Sequence, residues 1–177
     1  MKYWLMKTEP EEFSIADLAR KGSEPWTGVR SMFARFHMRN MTIGDCVLFY
    51  HSSCDPPGVA GLAKVAKTGL VDESQFDPAS KYFDETSKRE APKWDCVEVE
   101  YVSTFANLVA LERIRSDRML RHMVLLRQGR LSVQPVSEDE YQHILVLAET
   151  PWEPPPKPKK KPAKKPKKPV KKKAKKR

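Results

Sequence analysis

An indole, a glycine and a guanidinium lie within five residues near the start of the chain, at Trp26, Gly28 and Arg30. An indole offers a rigid π-face on which a planar base can stack, and such stacking contributes about 1–3 kcal/mol per base. Glycine lets a backbone N–H come close to a ligand, and arginine can reach a phosphate or stack through its planar fork. This spacing is typical of one wall of a pocket for a planar base. The alternative is that Trp26 is a core or edge aromatic.

Two further groups of polar side chains have the chemistry to complete such a pocket. Tyr50, His51 and Ser52 end a buried strand, where side chains emerge at the rim of a sheet. A hydroxyl and an imidazole there can hydrogen bond with the polar edge of a base, although a histidine can equally be a satisfied structural group. Arg130 and Ser132 lie on a short extended run far along the chain and supply similar donors.

A long polar segment, residues 70–93, contains Lys81 and Tyr82 and is predicted to be a loop. Long loops in compact domains are uncommon and often functional. These two residues are therefore expected to lie over the pocket, with a solvated loop anchored by its aromatics as the alternative. The candidate base-binding residues are Trp26, Gly28, Val29, Arg30, Ser31, Arg35, Tyr50, His51, Ser52, Lys81, Tyr82, Arg130 and Ser132.

The sequence contains no recognisable catalytic or metal-binding pattern. His51 and Cys54 stand three residues apart without a second such pair, which is weak support for zinc. The order of a Ser-His-Asp triad, a glycine-rich phosphate loop and a deaminase signature are all missing from the sequence. We therefore predict no catalytic residue, no cofactor and no metal, and keep an enzyme acting on modified nucleotides as a less favoured alternative.

These motifs, in this order, resemble those of the EVE domain, a PUA-like fold related to the YTH readers of methylated RNA. The resemblance is carried by residues 3–10, 26–30, 49–52 and 128–135. It spans about residues 1–148 and is strongest to the thymocyte nuclear protein group and its bacterial relatives. The resemblance implies a PUA-like α+β fold, and a role for Trp26 in caging a methylated base.

Two positions depart from the family pattern. Family members usually carry an asparagine after the Gly-Val-Arg triplet and another after Ala-Arg, where this chain has Ser31 and Phe36. An amide presents a donor and an acceptor in one plane and can pair bidentately with an adenine-like edge. A serine cannot do so, and the resemblance therefore leaves open which modified base is recognised.

The positive charge of the chain is concentrated at its C-terminal end. Residues 151–177 contain 13 lysines, one arginine and one glutamate, a net charge of +13, whereas the whole chain carries +10, which leaves −3 for residues 1–150. Lysine, proline and alanine cannot build a core, so this segment is predicted to be a disordered tail that binds phosphates nonspecifically. Its phosphate-binding candidates are Lys159, Lys160, Lys161, Lys164, Lys165, Lys167, Lys168, Lys171, Lys172, Lys173, Lys175, Lys176 and Arg177.

The resulting hypothesis is a nucleic-acid reader with one EVE domain at residues 1–150 and a basic tail at residues 151–177. Its partner is DNA or RNA with a modified base that is flipped out or single-stranded, because a base inside a duplex has no free face. The alternative is an architectural, linker-histone-like DNA-binding protein with an inert body. No apolar run approaches membrane-spanning length, and three cysteines without paired spacing favour an intracellular protein. We expect it at the bacterial nucleoid in the cytoplasm, or in the nucleus if the source is eukaryotic.

Irregular alternation of strands and helices predicts an α+β fold. Strands are expected over residues 3–7, 46–50, 59–67, 97–101 and 131–134, and helices after Ser14, over residues 31–40 and 116–126, and after Ser137. Ser14 with Asp17 and Ser137 with Glu140 have the spacing of capping boxes. Small residues at positions 60, 61 and 63 predict a close backbone approach. A small, curved or barrel-like, mostly antiparallel sheet with peripheral helices fits both the pattern and the resemblance.

Overall fold

The computed structural model describes residues 1–152, in which a six-stranded sheet carries helices on both faces. The strands are β1 (Tyr3–Thr8), β2 (Ser23–Pro25), β3 (Cys46–His51), β4 (Gly58–Val71), β5 (Asp95–Ala110) and β6 (Val133–Val136). Their order is β2-β5-β4-β3-β1-β6; β1 and β3 are parallel and the other four pairs are antiparallel. The predicted α+β, mostly antiparallel fold is confirmed.

Three of the five α-helices in the described residues begin after a serine that caps them, at Ser14, Ser31 and Ser137. The five are α1 (Ile15–Lys21), α2 (Met32–Arg39), α3 (Leu111–Ser116), α4 (Val124–Arg127) and α5 (Glu138–Glu149). Both predicted capping boxes form, at Ser14 with Asp17 and at Ser137 with Glu140. Because α5 ends at Glu149, the predicted domain end at residue 150 follows the last helix. The lysine-rich tail lies outside the described residues.

Side chains alternate across the central strands and build two separate hydrophobic cores. On β1, Trp4 and Met6 join one core while Leu5 joins the other. The first core includes buried residues of α1 and α2, and the second includes buried residues of α3, α4 and α5. A sheet covered on both faces has continuously apolar strands, which explains why the sequence of β3 shows no polar alternation.

The predicted close backbone approach is found where β4 pairs with β5. A Cβ on Gly61 would lie 2.4 Å from the carbonyl oxygen of Ser103, so no side chain fits there. Both strands run further than predicted, β4 to Val71 and β5 to Ala110. The paired length therefore reaches from the loop at residues 72–94 to the start of α3.

Two local predictions are wrong. The helix expected over residues 116–126 is not continuous: α3 ends at Ser116 and α4 begins only at Val124. At the break, Asp117 takes an extended conformation and its side chain accepts a hydrogen bond from the Met119 backbone nitrogen at 2.8 Å. The sequence also predicts a loop over residues 22–26, but this segment contains β2, an edge strand paired with β5. The strand predicted over residues 131–134 begins two residues later, at Val133.

The long segment after β4 is held by a buried glutamine. Gln75 is fully buried, and its side-chain nitrogen donates to the carbonyl oxygens of Asp72 and Trp94, both at 2.8 Å. Its side-chain oxygen accepts from the backbone nitrogens of Lys93, at 3.0 Å, and Trp94, at 2.9 Å. Both ends of the loop are thus tied to one side chain, which restricts where residues 76–92 can lie.

Candidate functional site

A cleft of about 750 Å³ lies on the side of the first core, between the end of β1 and the segment that joins β2 to α2. Its volume falls within the range of roughly 300–1,000 Å³ that is typical of ligand sites. It is lined by Lys7, Thr8, Glu9, Glu12, Phe13, Lys21, Glu24, Pro25, Trp26, Thr27, Gly28, Val29, Arg30, Ser31, Ser52, Ser53, Lys81, Tyr82, Gly129, Arg130 and Ser132.

The fold brings most of the candidate base-binding residues together in this cleft, although they are spread over more than a hundred positions of the chain. Four separate segments contribute: the β2–α2 connection, the end of β3, the long loop and the turn before β6. The candidates that line the cleft are Trp26, Gly28, Val29, Arg30, Ser31, Ser52, Lys81, Tyr82, Arg130 and Ser132.

Three candidates do not line the cleft and have structural partners instead. Tyr50 is 3% exposed and packs in the second core, because strand alternation directs it to the opposite face from Phe49. His51 accepts a hydrogen bond at Nε2 from the Ile15 backbone nitrogen at 3.1 Å, and burial lowers its pKa below the usual histidine value. Arg35 donates from Nε to Asp95 at 3.2 Å.

Trp26 serves both as a core residue and as a wall of the cleft. It is 7% exposed, and its ring meets the edge of Phe49 at a centroid distance of 5.4 Å and an interplanar angle of 83°. Its backbone nitrogen donates to the carbonyl oxygen of Val97 at 2.7 Å, which joins the segment to β5. The two interpretations of Trp26 therefore do not exclude one another. The indole is held rigidly by the core at the cleft surface.

Gly28 permits a close approach, and the approaching group is Tyr82. A Cβ on Gly28 would lie 2.6 Å from the Tyr82 ring, and its φ of +82° lies in the region that favours glycine. The Gly28 backbone N–H donates to Asp72 Oδ2 at 2.8 Å. In this structure the Gly28 N–H is thus occupied by Asp72. Gly28 positions the tyrosine of the long loop against the cleft wall.

Arg30 is held by several contacts with the long loop at residues 72–94. Its Nη1 contacts Asp72 Oδ2 at 2.7 Å, and its Nε donates to the Tyr82 carbonyl oxygen at 2.8 Å. Its guanidinium also lies 5.4 Å from the ring centroid of Trp94. Burial would raise the pKa of Asp72, but the hydrogen bonds from Arg30, Ser74 and Gly28 hold it below the usual aspartate value. Arg30 thus positions the loop and has few donors left for a phosphate.

Two of the other four cations at the cleft are also paired with carboxylates. Lys81 forms an ion pair with Glu12, which also accepts from the Tyr82 hydroxyl at 3.4 Å, and Lys21 pairs with Glu24 at 2.8 Å. The long loop is therefore joined across the cleft to the segment after β1. A ligand that enters the cleft on this side meets charges that are already neutralised.

Lys7 and Arg130 are the cleft cations without a carboxylate within 4.0 Å, among the residues that the structure describes. Lys7 donates from Nζ to the carbonyl oxygen of Gly129 at 2.8 Å and lies 5.4 Å from the Tyr50 ring centroid. Burial lowers the pKa of Lys7 to about 8. The arrangement leaves positive charge for an anionic ligand at this end of the cleft.

Sequence reasoning missed three residues that shape the site: Lys7, Glu12 and Asp72. A signal existed for Lys7, since it is the one charged residue predicted within the first strand. Asp72 pairs with Arg30 across 42 positions, and no local pattern indicates that contact. Glu12 matters because it bonds Lys81 and Tyr82, which the sequence placed only loosely over the pocket.

The serine at the family's asparagine position has a clear structural role. Ser31 is the N-cap of α2, and its hydroxyl accepts a hydrogen bond from the Ala34 backbone nitrogen at 3.4 Å. Serine and asparagine are about equally good N-caps, so the exchange preserves the start of the helix. Phe36, at the second such position, is 61% exposed on α2 and does not line the cleft.

Within residues 1–152, no helix is long and apolar enough to cross a membrane. The same part of the chain has no cluster of three or more histidine, cysteine, aspartate or glutamate residues arranged to hold a metal ion.

Comparison with known proteins connects this fold and cleft to one family. Thymocyte nuclear protein 1 from Mus musculus is 37% identical over 167 residues, covering 84% of this chain and 74% of the relative. A hypothetical protein from Leishmania major superposes with a TM-score of 0.82 at 46% identity, covering 84% of this chain and 95% of that one. Human THYN1, solved in complex with 5-methylcytosine-containing DNA, has a TM-score of 0.82 at 35% identity, covering 85% of this chain and 99% of that one.

The family model agrees with these similarities. It is the EVE domain, and it matches residues 2–147, which include every strand and nearly all of the last helix. The matched range also contains all the residues that line the cleft. The chain therefore belongs to the EVE domain family.

Proposed function

We propose that this protein is a nucleic-acid reader that recognises a modified base in the cleft lined by Trp26. The observation that carries the proposal is the rigid aromatic wall of a cleft of ligand size, in a chain whose relative, human THYN1, has been solved with 5-methylcytosine-containing DNA. An indole offers a face on which any base can stack. The base enters flipped out or single-stranded, because a stacked base has no free face.

The partner is DNA or RNA, and DNA with 5-methylcytosine is the first ligand to test because of the human relative. Discrimination between a methylated and a plain base comes from the walls of the cleft, whereas affinity comes largely from phosphate contacts. In this proposal the protein binds the base without converting it: of the lining carboxylates, Glu12 and Glu24 are each paired with a lysine, and Glu9 accepts a hydrogen bond from the Ser53 hydroxyl at 2.8 Å. By likeness to thymocyte nuclear protein 1 the site of action is the nucleus in a eukaryote, and in a bacterium the nucleoid.

The test is Trp26→Leu in the full chain, with binding measured to oligonucleotides that contain one 5-methylcytosine, one N6-methyladenine or only plain bases. The wild-type protein is expected to prefer one modified base by about tenfold, which corresponds to about 1.4 kcal/mol. Trp26→Leu is expected to bring that preference close to one, because the stacking face is removed, while salt-sensitive binding persists. Oligonucleotides recovered after binding should be unchanged by mass spectrometry.

Trp4→Leu is the matched control, since Trp4 is 4% exposed and belongs to the same core but does not line the cleft. Its indole donates to Asp45 at 3.0 Å, so its loss should destabilise the fold at least as much. The control should keep the preference. Equal loss in both variants, or a preference that survives in folded Trp26→Leu, would contradict the assignment of the cleft.

Affinity should also depend on pH through Lys7. Its pKa in the free protein is about 8, below the usual lysine value of 10.5, because of burial. A bound phosphate favours the charged form and raises that pKa, so binding takes up a proton above pH 8. Affinity should therefore be nearly constant below pH 7 and fall by about tenfold between pH 7 and pH 9.

Lys7→Arg is the control for this effect, because a guanidinium stays charged over the whole range. Isothermal titration calorimetry at pH 7, 8 and 9 should show the fall for the wild-type chain and a flat profile for Lys7→Arg. A parallel fall in both proteins would show that another group titrates and would remove Lys7 from the phosphate contacts.

A further inference from the structure

Among residues 1–117, arginines are engaged by other groups, except Arg115 in α3, which is exposed and forms no ion pair with a carboxylate of residues 1–152. Arg113 is buried and donates to the carbonyl oxygens of Leu147, at 2.8 Å, and Thr150, at 2.7 Å. Arginines that form an ion pair with a carboxylate are Arg20, Arg30, Arg35, Arg39 and Arg89.

Four arginines between α3 and β6 are different. Arg118, Arg121, Arg127 and Arg130, the arginine strip, are all exposed. None of them has a carboxylate within 4.0 Å among residues 1–152. Arg121 donates from Nε to the neighbouring His122 at 2.9 Å, which leaves its terminal nitrogens for a ligand. Four unpaired guanidinium groups within 13 residues are notable in a body of net charge −3.

Packing directs the arginine strip outward. Leu120, Met123 and Leu125 alternate with the arginines, are at most 4% exposed and belong to the second core. Because these apolar side chains anchor the segment, the arginines between them must face solvent. The strip is therefore held on a fixed surface of the protein.

The charge of the arginine strip is not cancelled from within its own segment. Asp117 is the one acidic residue in positions 117–130. Its side chain contacts His143 Nε2 at 2.9 Å and accepts from the Met119 backbone nitrogen at 2.8 Å. Asp117 thus shapes the turn after α3 and is occupied by these contacts.

The arginine strip reaches the cleft at its last member, Arg130. Arg130 lines the cleft itself, and the carbonyl oxygen of its neighbour Gly129 accepts from Lys7. The turn that carries them is fixed by Gln134, which is 1% exposed and donates to the carbonyl oxygens of Leu131, at 2.6 Å, and Gln128, at 3.1 Å.

We propose that the arginine strip binds the phosphate backbone of the strand whose base occupies the cleft. Guanidinium forks bind phosphate bidentately, the four groups are exposed and have no carboxylate partner within residues 1–152, and Arg130 among them lines the cleft. Phosphate contacts position a strand without reading its sequence. This proposal rests on the proposed function, because that function places the strand at the cleft. It also gives the folded body a phosphate-binding surface that is separate from the tail.

The test is the triple variant Arg118→Gln, Arg121→Gln and Arg127→Gln in the full chain, with affinity for a plain and a methylated oligonucleotide measured from 50 to 200 mM salt. Each lost phosphate contact lowers the slope of log affinity against log salt by about 0.7–0.9. The triple variant should therefore lower the slope by about 2–3. The preference for the methylated oligonucleotide should stay unchanged.

The matched control is Arg20→Gln, Lys64→Gln and Arg89→Gln, which removes the same charge from exposed positions that are already ion-paired. It should leave the slope within about 0.5 of the wild-type value, and melting temperatures should confirm that both proteins fold. Equal slopes in the two triple variants would overturn the proposal. It would also be overturned if the first triple variant lost binding to anionic vesicles while its binding to DNA stayed unchanged. Failure of the proposed function would appear instead as a wild-type protein without base preference.

Discussion

Asp72→Ala is expected to lower the free energy of unfolding by about 3–5 kcal/mol, the usual cost of breaking a buried ion pair on one side. The Asp72 side chain is 1% exposed and accepts from Arg30, from the Gly28 backbone nitrogen and from the nitrogen and hydroxyl of Ser74. Its removal leaves those donors unsatisfied and the Arg30 guanidinium without its counter-charge. Urea denaturation followed by circular dichroism would measure the change.

Glu73→Ala is the matched control, because the neighbouring glutamate forms an ion pair with Arg89 in which both side chains are more than two-thirds exposed. Exposed pairs contribute little, so a loss below about 1 kcal/mol is expected. If both variants lost the same stability, the Asp72 network would not be what holds the loop. Asp72→Ala should also weaken base preference, since Gly28 loses its bond to Asp72 and Arg30, which donates to the Tyr82 carbonyl oxygen, loses its counter-charge.

Deletion of residues 153–177 is expected to have the largest effect on affinity. The deleted segment carries 13 lysines and one arginine, and six to ten phosphate contacts correspond to a loss of about 10³- to 10⁵-fold in affinity between 50 and 200 mM salt. The full chain should show a dependence of that size. The shortened chain should bind more weakly at 50 mM salt, lose only about 10²-fold over the same range through the four-arginine strip, and keep its preference for a methylated base.

A full-length chain with its tail lysines replaced by glutamine controls for the length of the deleted segment and should behave as the deletion does. The result decides between two classes of protein. A reader retains weak, base-selective binding without the tail, as measured by fluorescence anisotropy. An architectural DNA-binding protein with an inert body retains none, and that outcome would remove the cleft from the proposed function.

Where a helix starts can be predicted from the sequence when the capping residues are close together in the chain. Ser14 and Ser137 were recognised because a capping box uses residues only three positions apart. The helix predicted over residues 116–126 failed for a related reason. Leu120, Met123 and Val124 have the i, i+3, i+4 spacing of a helix, while the interruption at Asp117 depends on a side chain that bonds the backbone in a turn.

The sequence predicts which residues line the cleft better than it predicts the contacts that those residues make. Trp26 and Arg130 line one cleft as the motifs indicated. The placement of Tyr50 could not be foreseen, since both faces of β3 are apolar and the strand shows no alternation that would distinguish them. The role of Arg30 was missed because Asp72, its partner, lies in a distant loop.

The sheet separates two hydrophobic cores, one on each face. Base choice and strand binding therefore depend on different cores, and selection can act on each property independently. Residues that shape the cleft, such as Trp26 and Val29, pack in the first core, while the anchors beneath the arginines, such as Leu120 and Met123, pack in the second. Changes in one layer can alter which base is chosen without loosening the surface that carries the guanidinium groups. Descendants of one ancestral chain could thus acquire new base preferences while their hold on the strand stayed the same.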